Sequence, residues 1–230
     1  MPGALRRVAL VGAGGFAREI AWILEEVNAR QPAFTLIGYL VSDRKYLERS
    51  TTCTPLLGDF SWLRQHRQEV DGLILAVGTP QARKQILTEL DRLYPDLEWP
   101  AIIHPSFQTD WKSLRLGRGV IVHSGVTATV NVEIGEFAFL NMHCTVGHEA
   151  RLGPFCGINP GANVSGWVQV GEAALVGVGA QVLAGLSVGA GSTVGAGAVV
   201  TRDVAANVTV TGIPARPLVR GESPAGALRD

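Results

Sequence analysis

The chain has 230 residues, of which 47% are hydrophobic and 28 are glycine, enough to bury one or two cores. Its 20 basic and 20 acidic residues cancel to a formal charge of zero, and no Lys/Arg cluster offers the electrostatic surface that a nucleic-acid backbone requires. No run approaches about 18 uninterrupted apolar residues, so we expect neither a membrane span nor a secretory signal.

The three cysteines indicate a reducing environment. Cys53, Cys144 and Cys156 are odd in number and lie among apolar residues. This pattern favours free thiols over a disulfide framework. We therefore expect a cytoplasmic protein.

A strand, a glycine turn and a helix are predicted over residues 6–30. The turn carries the pattern G-x-G-x-x-A at Gly12, Gly14 and Ala17, with Gly15 and Phe16 between them. Bare glycines at the start of a helix let the backbone approach a phosphate group, whose charge the helix N-terminus favours. The same glycines are also explained if they only tighten the turn.

Two further strands are predicted at 34–41 and 72–78, and a helical stretch that begins QARK follows the second of them. Strands that alternate with helices indicate a small parallel sheet in an α/β domain. About 100 residues is roughly half of a dinucleotide fold, so a mononucleotide or a nucleotide sugar fits better than NAD. Arg83 and Lys84 are interpreted as a solvated helix face.

Ligand-binding positions are predicted where these strands end, because ligands gather at the carboxyl edge of a parallel sheet. Gly78 and Thr79 lie at the end of the third strand. Asp43 follows the second strand, where its carboxylate either accepts hydrogen bonds from a sugar hydroxyl or caps the residues after it.

The second half of the chain is a hexapeptide repeat. From Leu116 to Val200 every sixth residue is Val, Ile or Leu, with Ala128 as the one departure. Glycine also recurs every eighteenth position, at Gly117, Gly135, Gly153, Gly171 and Gly189. Three hexapeptides therefore make one coil of a parallel β-helix whose inward side chains stack from coil to coil. We expect an α/β domain over 1–103, a β-helix over 104–218 and a flexible tail over 219–230.

The order of motifs along the chain resembles a bacterial enzyme family. VGAGGFARE, LLGDF, LAVGTPQARK and AIIHPS precede the repeats, which end in VTGIPARP. This order is similar to that of the hexapeptide-repeat sugar acetyltransferases, which include the sialic acid O-acetyltransferases and the N-acetyltransferases of nucleotide-linked 4-amino-4,6-dideoxy sugars. The resemblance implies a left-handed β-helix, a homotrimer and acetyl-CoA sites between neighbouring prisms. Periodicity alone does not predict the handedness, since general crossover rules favour the right hand.

The resemblance also implies the catalytic residues. The segment VGHE places His148 at the general base, with Glu149 beside it. An imidazole, whose unperturbed pKa is about 6.5, is suited to take a proton from an amine that attacks a thioester. A carboxylate on its far nitrogen would hold the tautomer. Adjacent strand residues face opposite ways, so Glu149 can do this only at a corner, and Glu133 is the alternative.

Ligand contacts are expected partly from the same resemblance and partly from the position of residues relative to His148 and Glu149 in the repeat. The nucleotide is expected at the first glycine turn and the end of the second strand, at Gly12, Gly14, Gly15, Phe16 and Asp43. Gly157 stands where relatives often have a second histidine, near the acetyl group, and Gly166 leaves room for a pantetheine arm. Trp167 either lines the CoA groove or packs at the trimer interface. His143, one hexad before His148, either contacts the sugar or is structural.

The sequence therefore predicts an acetyl-CoA-dependent N-acetyltransferase of a nucleotide-linked amino sugar, with the nucleotide left open among UDP, GDP and dTDP and no metal needed. O-acetylation of sialic acid or another sugar is the alternative. A γ-carbonic-anhydrase-like hydratase would need a third imidazole beside His143 and His148, and only His123 lies within the coils. A non-catalytic scaffold would leave the His-Glu pair unexplained.

Overall fold

The computed structural model of the protein describes residues 5–42 and 55–218. It confirms a parallel α/β domain followed by a left-handed parallel β-helix. Asp43, Cys53 and the predicted tail at 219–230 lie outside the described residues. In the described part of the chain, no helix is both long and apolar enough to cross a membrane.

The N-terminal domain is a four-stranded parallel sheet with the order β3-β2-β1-β4. Its helices pack their apolar residues on the sheet; in the first of them Ala17, Ile20, Ile23 and Leu24 are buried. A 3-10 turn at Arg67–Glu69 follows the second helix. The strands are β1 (Arg6–Val11), β2 (Phe34–Val41), β3 (Leu56–Asp59) and β4 (Gly72–Leu75), and the helices are α1 (Gly15–Arg30), α2 (Trp62–His66) and α3 (Pro80–Leu93).

The β-helix is a three-sided prism. We call its sides faces 1, 2 and 3, in the order in which each coil visits them. Face 1 contains β5 (Ile102–Ile103), β7 (Ile121–Val122), β10 (Phe139–Leu140), β13 (Gly157–Ile158), β16 (Leu175–Val176), β19 (Thr193–Val194), β21 (Thr209–Thr211) and β22 (Arg216–Pro217). Face 2 contains β8 (Thr127–Ala128), β11 (Thr145–Val146), β14 (Asn163–Val164), β17 (Gln181–Val182) and β20 (Val199–Val200). Face 3 contains β6 (Arg115–Leu116), β9 (Glu133–Ile134), β12 (Arg151–Leu152), β15 (Gln169–Val170) and β18 (Ser187–Val188).

The eighteen-residue period of the sequence is the register of the prism. On face 2, for example, Val146 pairs with Ala128 on one side and with Val164 on the other. The second residue of each short strand points inward, and these aliphatic side chains form one continuous core. The repeat therefore stabilises the prism because each inward aliphatic side chain packs on the equivalent side chain of the next coil.

The two domains share buried contacts. Ile121, Phe139 and Leu175, which point outward from face 1, pack with side chains of α1 and the N-terminal sheet. The ring of Phe16, in the first turn of α1, lies 5.5 Å from the ring of Phe139. Face 1 is thus the side of the prism on which the N-terminal domain docks.

Arg83 joins the two domains, which corrects the interpretation of its side chain as solvated. It is 0% exposed, and its guanidinium donates to the carbonyls of Leu75 and Val77, at 2.8 and 3.0 Å, and of Phe137, at 2.7 Å. Burial lowers its pKa to about 9. Lys84 does face solvent, where it pairs with Glu172 of the prism.

Candidate active site

His148 and Glu149 lie at a corner of the prism. The turns at 129–132, 147–150, 165–168 and 183–186 connect face 2 to face 3, and we call this edge the site corner. Glu149 has a φ of 54°, in the left-handed region. This turn brings two adjacent side chains together, and His148 Nδ1 forms a hydrogen bond with Glu149 Oε2. The corner geometry that the pair requires is therefore present.

The contacts of Glu149 define the tautomer of the ring. Asn131, one coil earlier, donates from Nδ2 to Glu149 Oε1 at 3.0 Å. This bond and the one to His148 lower the pKa of the Glu149 carboxyl, so it is ionised at neutral pH and can only accept hydrogen bonds. His148 Nδ1 therefore carries a proton, and Nε2 of the neutral ring keeps its lone pair.

Glu133, the alternative partner, is engaged elsewhere. Its carboxylate lies 3.4 Å from Arg115 Nη1 and 3.8 Å from Arg151 Nε, both on face 3. The acidic residue that hydrogen-bonds to His148 is Glu149.

The His148 ring lies against the backbone of the next coil. A Cβ built on Gly166 would approach Nε2 to 2.6 Å and Cε1 to 2.7 Å, so the ring fills the space that Gly166 leaves. Trp167 stands edge-on to the ring, with centroids 6.3 Å apart, and is 61% exposed. The His148 side chain itself is 54% exposed, so a substrate can reach it from solvent.

A second set of predicted residues lies at the carboxyl edge of the N-terminal sheet. Helix α1 begins after Gly14 and helix α3 after Thr79, and neither has a side-chain cap. Because β1 and β4 are neighbours in the sheet, the glycine turn and the end of β4 lie side by side. The two helix N-termini with free N–H groups suit a phosphate.

The glycines at this edge differ in whether a Cβ atom would fit at their position. Gly12 has a φ of 123°, and any Cβ there would collide with the carbonyl oxygen of Ala76, so it serves the turn itself. A Cβ on Gly14 or on Gly78 would meet nothing within 4 Å, and one on Gly15 would only reach Arg18 Nη2 at 4.0 Å. Open space at these three glycines leaves room for a ligand against the backbone.

The remaining histidines do not join His148. His143 has a φ of 56° and lies at the corner between faces 1 and 2, where its ring covers Gly125. His123 is 1% exposed, beside His104 and Trp22. Burial first, and the neighbouring imidazoles of His104 and His143 second, lower its pKa to about 4. Although His123 begins a corner turn, it is buried because α1 covers it.

The γ-carbonic-anhydrase-like alternative requires a cluster of metal ligands. Within residues 5–42 and 55–218, no group of three or more His, Cys, Asp or Glu side chains is placed to hold a metal ion. The hydratase alternative would need such a group.

Gly157, which was expected near the acetyl group, lies on face 1, where the N-terminal domain docks. Gly157 lies in β13 of face 1, where a Cβ would strike the ring of Phe139 and approach Leu175 Cδ1 to 2.8 Å. The position is glycine because these two side chains cover it. A role for Gly157 in cofactor binding stays a prediction.

A groove runs along face 3, lined by its strands and by the glycines that begin the turns from face 3 to face 1. Its volume is about 620 Å³ and it spans five coils. The glycines of the eighteen-residue repeat form its floor, since a Cβ at each would strike the backbone of the following coil; they are Gly117, Gly135, Gly153, Gly171 and Gly189. Arg115, Glu133 and Arg151 stand along it.

Known proteins share both the N-terminal domain and the whole two-domain fold of this chain. Residues 7–90 match the family of the PglD N-terminal domain. PerB from Caulobacter crescentus, solved with CoA and GDP-perosamine, is 32% identical, with a TM-score of 0.84 over 94% of this chain and 99% of that chain. The chain belongs to the hexapeptide-repeat sugar acetyltransferases.

Two further members of this acetyltransferase family show the same fold. The acetyltransferase domain of PglB from Neisseria gonorrhoeae, solved with acetyl coenzyme A, is 29% identical, with a TM-score of 0.81 over 94% of this chain and all of that one. WeeI from Acinetobacter baumannii is 25% identical, with a TM-score of 0.78 over 93% of this chain and all of that one. No curated protein gives a significant match.

The acetyltransferase has, on face 3, a groove whose form and lining suit acetyl-CoA. The groove on face 3 is long and open, its bare backbone floor suits an extended pantetheine arm, and Arg115 and Arg151 offer guanidinium groups to phosphates. The thioester brings the activated acyl group, and the protein has to place it next to His148 Nε2. The residues present therefore fit the co-substrate.

Sequence reasoning missed one residue at the acetyltransferase's site corner. Asn131 was not among the candidates, although it stands eighteen positions before Glu149 and hence directly beneath it. The eighteen-residue period that predicts the core also aligns outward-facing residues. Counting eighteen positions back from Glu149 would have identified Asn131.

Proposed function

We propose that this acetyltransferase transfers the acetyl group of acetyl-CoA to the amino group of a nucleotide-linked 4-amino-4,6-dideoxy sugar, with His148 as general base. The observation that carries the proposal is the His148–Glu149 pair at an exposed corner that leads into face 3, the face with the groove. The likeness over the whole chain to the enzyme solved with CoA and GDP-perosamine supports the substrate class.

The chemistry follows from the protonation state of the pair. The neutral amine attacks the thioester carbonyl while His148 Nε2 removes a proton from its nitrogen. Glu149 accepts from Nδ1 and stabilises the imidazolium that forms. The tetrahedral intermediate then expels CoA as the carbon–sulfur bond breaks, and the imidazolium returns the proton to the sulfur. Backbone N–H groups at the corner are suited to hold the developing oxyanion.

The nucleotide is proposed to lie at the carboxyl edge of the N-terminal sheet. Gly14, Gly15, Gly78 and Thr79 would surround its phosphates, supported by the open space there and by the N-termini of α1 and α3. The further substrate contacts that we propose are Gly12, Phe16, Asp43 and His143. Of these, Phe16 contacts Phe139 of the prism, so its ring stands where the two domains meet.

We propose a trimer in the cytoplasm as the working form. Large apolar side chains are exposed along or next to the site corner, at Trp111, Val130, Trp167 and Leu183. Burial of such a strip against another prism would shield it from water. The cytoplasmic location is supported by the buried free thiols of Cys144 and Cys156.

The function is tested by incubating the purified protein with acetyl-CoA and a panel of GDP-, UDP- and dTDP-linked sugars that carry an amino group or only hydroxyl groups. We expect CoA release and acetylation of the amine. In His148→Ala we expect kcat to fall by a factor of roughly 10² to 10⁴, the contribution of a positioned base. Acetyl-CoA should still raise its Tm, because binding does not need the base.

The control for this test is His66→Ala, which removes a half-buried imidazole from α2 of the N-terminal domain, a residue that does not line the groove. It should leave kcat unchanged. Most of the wild-type kcat surviving in His148→Ala would remove His148 from the role of base, and transfer to hydroxyl acceptors alone would favour O-acetylation.

A further inference from the structure

A chain of hydrogen bonds ascends the site corner toward His148. Ser113 donates from Oγ to Asp110 Oδ2 at 2.7 Å, and the backbone N–H of Asn131 donates to Ser113 Oγ at 2.8 Å. The side chain of Asn131 then donates to Glu149, which holds His148. Each step crosses one coil or less, so the catalytic pair is tied to the first coil of the prism.

We infer that Asn131 is a positioning residue of this acetyltransferase: its amide holds the Glu149 carboxylate in the one orientation that keeps His148 Nε2 free to act as base. The inference rests on the proposed function, which it deepens. It assigns a role to a residue that acts on the imidazole only through Glu149.

The two carboxylate oxygens of Glu149 have different hydrogen-bond partners. Oε1 accepts from Asn131 Nδ2, and Oε2 bonds to His148 Nδ1. A carboxylate is free to rotate about its last torsion, and an exposed one also exchanges its partners for water. The hydrogen bond from the Asn131 amide to Oε1 removes that freedom, so Oε2 stays opposite Nδ1. The Asn131 bond is also the largest cause of the lowered pKa of Glu149, so it helps to keep the acceptor charged.

The amide of Asn131 is itself held in place. Its φ of 55° is in the left-handed region, which asparagine tolerates better than most residues. The backbone N–H of Glu149 donates to the carbonyl of Val130 at 3.1 Å, which fixes one coil on the other at this point. Both ends of the side-chain bond therefore start from a rigid backbone.

The inference is tested with two variants of the full chain. Asn131→Gly keeps the left-handed backbone and removes the amide. Asn131→Asp keeps the shape but replaces the donor by a carboxyl group. The same substitutions at Asn207, whose φ is 59° at a corner of the last coil, serve as matched controls because they change an equivalent backbone away from the pair.

In Asn131→Gly we expect kcat to fall about 10-fold, the scale on which outer partners of a catalytic group act, while KM for both substrates stays within about 2-fold. The Asn207 variants should behave as wild type. In ¹⁵N NMR of the imidazole, wild-type His148 should be protonated at Nδ1 only, and the glycine variant should show both tautomers. The NMR result does not depend on turnover.

Asn131→Asp gives a pH signature that a structural role would not. Two carboxyl groups at hydrogen-bond distance raise the pKa of one of them. Below that pKa the introduced group is protonated and donates to Glu149 as the amide does; above it, the two charges repel. The ratio of variant to wild-type kcat should therefore fall as the pH rises.

The inference fails if both Asn131 variants match wild type in kcat, tautomer and pH profile. It also fails if their losses are matched by those of the Asn207 variants. If wild type transfers no acetyl group to any sugar but the tautomer changes as expected, the proposed reaction is wrong and the positioning of His148 by Asn131 stands.

Discussion

The absence of a side chain at position 166 determines where the base lies. The His148 ring occupies the volume that a Cβ on Gly166 would need, with Nε2 nearest to it. Glu149 and Asn131 hold the ring from its other side, at Nδ1. The base nitrogen is therefore positioned by one hydrogen bond and one steric gap, both at the site corner.

Gly166→Ala should displace the ring. The new methyl group would lie 2.6 Å from Nε2, so the imidazole must rotate and its bond to Glu149 must weaken. We expect kcat to fall about 100-fold, the cost of misplacing a reacting group by roughly 1 Å, with little change in Tm because the ring can move into solvent.

Gly147→Ala provides the contrast to this prediction. There the methyl group would strike the backbone nitrogen of Gly166, which cannot move without disturbing two coils. That variant should lose thermal stability. A drop in Tm of similar size in Gly166→Ala would show that the glycine serves the prism and not the base.

Helix α1 joins the two halves of the protein through an aromatic cluster. Trp22 of α1 lies 6.3 Å from the ring of His104 and 5.7 Å from that of His123, and the two imidazoles stack at 6.5 Å. Ser124 N donates to His123 Nδ1 at 2.7 Å, whereas Nε2 is buried without a partner. A proton on His123 would place a charge between the domains, next to two other imidazoles, with Glu26 acting only on His104.

Stability should therefore decline in mild acid. The pKa of His123 is about 4 in the folded protein and about 6.5 in the unfolded chain. As the pH falls from about 6.5 to about 4, His123 binds a proton in the unfolded chain but stays neutral in the folded protein. The free energy of unfolding should drop across this window by on the order of 3 kcal/mol, as measured by urea denaturation.

His123→Asn isolates this effect, because asparagine retains an acceptor for Ser124 N and cannot titrate. It should lower stability at neutral pH through lost packing but flatten most of the decline toward pH 4. The variant His66→Asn, at a half-buried histidine away from this cluster, should keep the full decline. An unchanged slope in His123→Asn would assign the acid sensitivity to other groups.

At the scale of the whole molecule, the exposed apolar strip bears on assembly. Leu183 is 47% exposed in a turn of the site corner, in the same strip as Trp167. Three prisms packed through such edges would bury these side chains and enclose His148 at the seam. Assembly and activity would then depend on the same surface.

Leu183→Glu should break the proposed trimer. Light scattering after gel filtration should give three times the chain mass for wild type and the chain mass for the variant, with loss of acetyl transfer. Leu93→Glu, at the end of α3 and 41% exposed, should remain trimeric and active. An active monomeric wild type would contradict both the trimer and a seam site.

Much of the fold could be predicted from the sequence because the hexapeptide period is a local property. Each inward residue meets its own equivalent eighteen positions away, so the core, the register and the placing of His148 on a turn follow from counting. The strand–glycine turn–helix of the N-terminal domain is equally local. Handedness was not predictable in this way, and it came from the resemblance to the family.

Only the tertiary structure decided which outward side chains have partners. Glu149 and Glu133 are equally acidic in the sequence, but the left-handed turn at Glu149 and the arginines around Glu133 separate their roles. Arg83 and His123 look like surface residues until α1 and α3 dock on face 1 and exclude water from them. Outward positions of a repeat are chemically uniform along the chain, and their burial and charge depend on segments that are distant in sequence.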